Sequence, residues 1–335
     1  MHEDGFLRKR RSGAALCLAM LLAVGGLSLP ARAAETPREL VPVGHTVGIK
    51  MFARGVLVVD LAEGKSPAKA CGLAKGDVIL QCNGTAVTST EQFQRLLQGE
   101  EEVELAVRRG GSAKTLTAEP ERNEDGAWVI GAWIRDSMAG IGTVTYYDPA
   151  TGDFGALGHG ITDGDTMALM PFGSGSILPS TVKAVKKGSS GSAGELRGNF
   201  DLSGDLGPLC ANTDCGIFGT LPADCTLVAG EALPVGDAVE GPATIRANVS
   251  GDEVREYAVE ILKRLPNASD GREMVISVTD PDLIAATGGI VQGMSGSPIL
   301  QNGKLVGAVT HVLLSDATKG YGISMETMLN AGENV

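Results

Sequence analysis

Short apolar runs separated by glycine-rich turns make up most of the chain. Gly55-Val56-Leu57-Val58-Val59, Trp128 to Ile134, Ile141 to Tyr146, Met274 to Val278 and Leu305 to Val309 all have strand length. Val103-Glu104-Leu105-Ala106-Val107 alternates with the period of a half-buried strand. Ala243 to Val249 and Glu256 to Leu262 pair through Ser250-Gly251-Asp252 as a hairpin. Helical signals are few. Ser66 caps a short helix with Pro67 at its first position and Gly72 as its stop. Thr88 to Leu97 places Phe93, Leu96 and Leu97 on one face, with Thr88 and Glu91 as a capping-box pair. So many closely spaced strands predict a barrel or a sandwich.

Length adds a division. The 335 residues suggest two domains, and the charged stretch Glu119 to Asp125 reads as the linker between a compact unit over 34–119 and a strand-rich unit over 120–335. Gly188 to Asp205, rich in glycine and serine, reads as barrel loops. A net charge of −12 argues against nucleic acid as the main partner. Residues 1–33 carry a basic start, Arg8 to Arg11, an apolar run, Ala14 to Leu29, and the small-x-small signal Ala31-Arg32-Ala33. That pattern predicts export, through a cleaved signal peptide or a retained membrane anchor. Beyond it lie Cys71, Cys82, Cys210, Cys215 and Cys225; the last three are spaced closely enough for one disulfide after export, with buried thiols as the alternative.

Candidate chemistry centres on Gly293-Met294-Ser295-Gly296-Ser297-Pro298, a serine between glycines ahead of the strand at Leu305. Glycines allow a tight turn that aims successive N–H groups at one point. A nucleophilic serine also needs a base. Of four histidines, His2 lies in the signal and His45 in the N-terminal unit; His311 ends the strand after the serine turn. His159, in Gly158-His159-Gly160, follows an apolar run and is the candidate base. Ser297 reads as structural.

These residues carry a resemblance. The serine turn with Leu305-Val306-Gly307 resembles chymotrypsin-like serine peptidases. Ala156-Leu157-Gly158-His159-Gly160-Ile161 together with Gly288 to Ile299 more closely resembles the stage IV sporulation protein B (SpoIVB) peptidases. Gly72-Leu73-x-x-Gly76-Asp77-x-Ile79 resembles a PDZ domain. The resemblance implies a mainly β chain: an N-terminal PDZ domain, then a chymotrypsin-like double β-barrel with its site in the cleft. It implies Ser295 as nucleophile, His159 as base, Asp280 as orienting carboxylate, and the N–H groups of Gly293 and Ser295 as the oxyanion hole. Asp280 before Pro281 also reads as a helix N-cap; Asp163, Asp165, Asp201 or a Ser–His dyad are the alternatives. Val47-Gly48-Ile49-Lys50 matches the peptide-binding PDZ loop, where His45 and Lys50 could touch an acidic peptide end. The implied activity is an exported serine endopeptidase of sporulation signalling, without metal or organic cofactor. It would cleave itself and a membrane-anchored regulator of an intramembrane protease that activates a late sigma factor, in the space between forespore and mother-cell membranes. A general quality-control protease, or a binding protein with a dead barrel, are the competing classes.

Overall fold

The computed structural model describes residues 38–265, 268 and 271–335. The expected signal or anchor at 1–33 lies outside them. Among the described residues no helix is long and apolar enough to cross a membrane.

In chain order the elements are β1 (Glu39–Pro42), β2 (Thr46–Leu61), α1 (Pro67–Ala70), β3 (Val78–Cys82), β4 (Thr85–Ala86), α2 (Thr90–Leu96), β5 (Val103–Arg109) and β6 (Ser112–Ala118). A small hairpin follows, β7 (Glu121–Arg122) and β8 (Trp128–Val129); this replaces the expected linker. Then come β9 (Ala132–Tyr147), β10 (Asp153–Ala156), β11 (Phe172–Lys186), β12 (Glu195–Phe200), β13 (Gly207–Thr213), β14 (Gly216–Thr220) and β15 (Leu233–Pro234). The C-terminal part holds β16 (Gly241–Ser250), β17 (Glu253–Arg264), β18 (Met274–Val278), α3 (Pro281–Thr287), β19 (Pro298–Gln301), β20 (Lys304–Val312), β21 (Lys319–Ser324) and α4 (Met325–Glu333).

Two barrels result. Antiparallel pairings of β2 with β9, then β10, β14, β13, β11 and back to β2 close a ring of six strands. The second barrel closes in the order β16-β17-β18-β21-β20-β19. Each is filled by alternate apolar side chains: Val47, Ile49, Val144, Phe154, Ile177 and Ile217 in the first, Ile245, Val259, Ile261, Ile276, Ile299 and Val309 in the second. Burying side chains of this kind contributes about 1.5–3 kcal/mol each.

The PDZ-like unit does not simply precede the barrels. It is set into the first one, between the two long strands β2 and β9. The N-terminal part of β2 pairs with β9 and β11 in the barrel, whereas Val56 and Leu57 pair with β3 in the PDZ-like sheet. A cluster including Met51, Leu57, Val59, Val78 and Met170 packs across the junction. Val47-Gly48-Ile49-Lys50 is therefore a barrel strand and not a PDZ loop, and this part of the expectation is corrected. Gly48 makes room for the Phe200 side chain, whose Cβ a Cβ at Gly48 would approach to 2.5 Å. Lys50 lies over the Phe52 ring at 4.9 Å, and His45 sits at the barrel start with Nδ1 2.9 Å from the Thr46 carbonyl.

Local chemistry explains the helices. Ser66 caps α1 and Pro67 opens it. The cap of α2 is shifted by one residue: Ser89, not Thr88, accepts from Gln92 N, and Gln92 Oε1 reaches back to Thr88 N. Of the two readings of the cysteines, the free thiol is the one seen: all five described cysteines are free, Cys82 buried and Cys210 exposed. Burial pushes the Cys82 thiol up to about 11, with Glu100 adding to the shift.

Candidate active site

The serine turn sits between α3 and β19, at the first barrel's edge. Met294 N bonds Val291 O, Gly296 N bonds Val309 O and Ser297 N bonds Met294 O. Gly296 has φ +96, and a Cβ there would collide with the Thr143 carbonyl oxygen and the Leu157 nitrogen. Only glycine fits so close a contact between the two barrels.

The histidine turn ends β10. Leu157 and Gly158 both take positive φ, +69 and +68, which reverses the chain and presents the His159 ring to the cleft. Its Nδ1 lies 2.9 Å from the Gly160 carbonyl. Enclosure by the protein pushes the His159 pKa down, and the Gly160 contact opposes this less strongly.

His159 and Ser295 line one cleft of about 790 Å³, together with Ile49, Met138, Ile141 and His311. The His311 ring is 5.0 Å from that of His159, centroid to centroid. Ser295 Oγ donates to the Thr310 carbonyl at 2.7 Å and not to His159. Both ring and hydroxyl are thus in the cleft, yet the hydrogen bond between them is not made. Catalytic hydrogen bonds often form only with substrate in place.

Thr143 on β9 joins the two turns, and sequence reasoning missed it. Its N–H donates to Ser295 O at 3.0 Å, its Oγ1 donates to Gly293 O at 2.7 Å, and its carbonyl accepts from Leu157 N at 3.2 Å. At 1% exposure it is wholly enclosed. A threonine in an alternating strand carries no signal of such a role. With the carbonyls of Gly293 and Ser295 tied to Thr143, the N–H groups of the same two residues have no acceptor among the described residues, and both residues line the cleft. Unpaired donors of this kind suit a developing oxyanion.

The carboxylates fall elsewhere. Asp280 is the N-cap of α3, accepting from Asp282 N and Leu283 N at 3.0 Å and from Ala258 N at 3.2 Å. The structure does not bring it to His159, because its oxygens are engaged at the helix start. Asp163 is fully buried and anchors the loop after His159. It accepts from Thr166 and Asp165 and pairs with Arg135. Burial pushes its carboxyl up, but these donors hold it below the ordinary value. Asp165 pairs with Arg135 at 2.9 Å, and Asp201 accepts from Ser203. Ser297 is fully buried and its Oγ has no partner among the described residues.

A PDZ domain model matches residues 58–109. Among solved structures, the PDZ domain of the SdrC-like protein Lmo2051 from Listeria monocytogenes is 21% identical over 24% of this chain and 87% of its own, with a TM-score of 0.22. The Rv3671c protease from M. tuberculosis in its active form is 14% identical over 59% of this chain and 73% of its own, with a TM-score of 0.31. No curated protein matches the chain. The model described as SpoIVB peptidase S55 matches residues 126–329, more than half of the chain, and covers both the histidine and the serine turn: this protein belongs to the SpoIVB peptidase S55 family and is a peptidase.

Proposed function

We propose that this chain is an exported serine endopeptidase of sporulation signalling. The observation that carries the peptidase chemistry is the meeting of His159 and Ser295, one from each half of the fold, in one cleft beside two N–H groups without acceptors. In the reaction, Ser295 Oγ leaves the Thr310 carbonyl and turns to His159. His159 takes its proton, and Oγ attacks the peptide carbonyl carbon. The N–H groups of Gly293 and Ser295 hold the oxyanion. His159 then gives the proton to the leaving amine, and water releases the acyl group. The Gly160 carbonyl, accepting from Nδ1–H, orients the ring in place of a carboxylate.

The family resemblance supports the finer reading. The enzyme would work in the space between forespore and mother-cell membranes, cleave itself, and cleave a membrane-anchored regulator of an intramembrane protease. The size of the expressed chain on a gel tests this. Wild type shortens while Ser295→Ala and His159→Ala stay full-length. Equal shortening of all three would mark host trimming, and an intact wild type would count against self-cleavage.

A further inference from the structure

PDZ-type units bind an extended peptide by adding it to a strand edge beside a helix. Here the strand beside α2 is the start of β9. Ile134 packs against the core of the PDZ-like unit, and Asp136 Oδ2 accepts from Thr90 N at the first residue of α2, at 2.8 Å. From Ala132 to Thr143, β9 is paired with β2 alone; its pairings with β10 and β1 begin at Val144 and Tyr146. The other edge has no paired strand among the described residues.

The same strand runs on into the catalytic cleft. Met138, Ala139, Gly140 and Ile141 line it, and Thr143 then holds both catalytic turns. β9 is uninterrupted through the junction. The extra residues there belong to β2, which advances from Phe52 to Leu57 while β9 moves only from Ser137 back to Arg135. Open edges are commonly blunted by proline, lysine or a bulge. This one has no proline or lysine between Ala132 and Ile141. Its one cation, Arg135, is paired with Asp163 and Asp165. Trp133 is 69% exposed on it. Such an edge is built to be covered.

We propose that a polypeptide substrate covers it as an antiparallel strand, with the residues after the scissile bond lying from Ile141 back to Ala132 and the chain's C-terminal end in the groove between β9 and α2. This deepens the endopeptidase reading and rests on it. The direction follows from the sheet: β9 pairs antiparallel with each of its strand partners, β1, β2 and β10, and antiparallel pairs are the more stable per residue. Since β9 runs from the PDZ-like unit to the cleft, its partner runs from the cleft to the PDZ-like unit. At ~3.4 Å per residue the ledge spans about 30 Å. The enzyme is then a ruler, cutting about nine residues before a free C-terminus. Arg135, whose partner Asp163 anchors the loop after His159, links an occupied ledge to the base.

The test uses the full chain and a random-sequence library of peptides about two dozen residues long with free C-termini, cuts being mapped by mass spectrometry. Wild type is expected to cut about nine residues from the C-terminus, and Trp133→Ala, an exposed change that leaves the cores intact, to lose that clustering. Even scatter along the peptides in wild type would overturn the ruler and leave the peptidase reading standing. No cleavage of any peptide by wild type would overturn the peptidase reading and this inference with it. Binding is read separately in the Ser295→Ala chain by tryptophan emission, with Trp133→Phe as control. A library peptide should bind roughly tenfold tighter than its version lacking the last nine residues; equal affinity would overturn the proposal.

Discussion

The serine turn and the histidine turn solve one problem with different amounts of support. Around Ser295 the backbone is bonded on both sides: the carbonyls of Gly293 and Ser295 go to Thr143, and Gly296 N and Ser297 N go to Val309 and Met294. The His159 turn is held from its flanks. Leu157 N bonds Thr143 O before it, Asn212 holds Ile161 N and O after it, and between them two successive residues, one of them a leucine, take positive φ. A non-glycine residue there stores about 1–3 kcal/mol of strain. The nucleophile's own turn is thus tied down residue by residue, while the base sits on a strained bend held mainly through its flanks, by Thr143 before it and Asn212 after it. Positioning of the pair depends on the residue they share.

The contrast breaks most completely at Gly296. Gly296→Ala would add a Cβ into the Thr143 carbonyl and the Leu157 backbone, at a φ of +96 that L residues rarely adopt. Neither obstacle is a flexible side chain. The expected outcome is a loss of at least ~2–4 kcal/mol and little folded, active protein, read by thermal unfolding and by soluble yield. Wild-type stability in the variant would mean that the barrels do not meet as closely here.

Thr143→Val separates frame from chemistry. Valine keeps the strand and both backbone bonds but removes the hydroxyl donor to Gly293 O. The Gly293 peptide is then free to turn, misaligning the oxyanion donors. The expected effect is a roughly 10- to 100-fold fall in kcat with KM nearly unchanged, and Thr143→Ser should restore much of it. A change in KM alone would assign Thr143 to substrate binding instead.

The histidine side is sharpened by pH. Enclosure lowers the His159 pKa from its ordinary value, and the base must be neutral to act. Activity should therefore rise with pH through a midpoint below ~6.5, the value of a free histidine. The stability sign follows from the same shift. Above ~6.5 both folded and unfolded forms are neutral and nothing is contributed; as pH falls below it the unfolded chain takes the proton first and stability declines. An inflection in kcat/KM at or above ~6.5 would contradict an enclosed base.

Much of this site was legible in the sequence because its parts are local. Gly-x-Ser-Gly and Gly-His-Gly are short turns whose glycines mark backbone that other residues cannot adopt. Ser66 with Pro67, and Asp280 with Pro281, are caps decided within four residues. What escaped is non-local. The local pattern of Val47 to Lys50 fits the PDZ-like unit, yet which half of a long strand belongs to which sheet depends on partners some 90 residues away, at Gly142 and Ala139. Thr143 is one alternating residue of β9 until the two turns are brought to it from Gly293 and Leu157.

Asp280 gives the smallest expected effect and the cleanest separation of two readings. As the cap of α3 it accepts three N–H groups, and losing such a cap costs about 1 kcal/mol. As the group that orients the base, its loss would cost about 10⁴ in kcat. Asp280→Ala should therefore lower the unfolding temperature by a few degrees and leave the pH midpoint of activity where it was. α3 leads through Gly288 into the serine turn, so a modest change in rate would still fit a cap. A thousandfold loss in kcat with stability intact would place the carboxylate beside His159 during catalysis, and would mean that the histidine turn swings toward α3 when substrate binds.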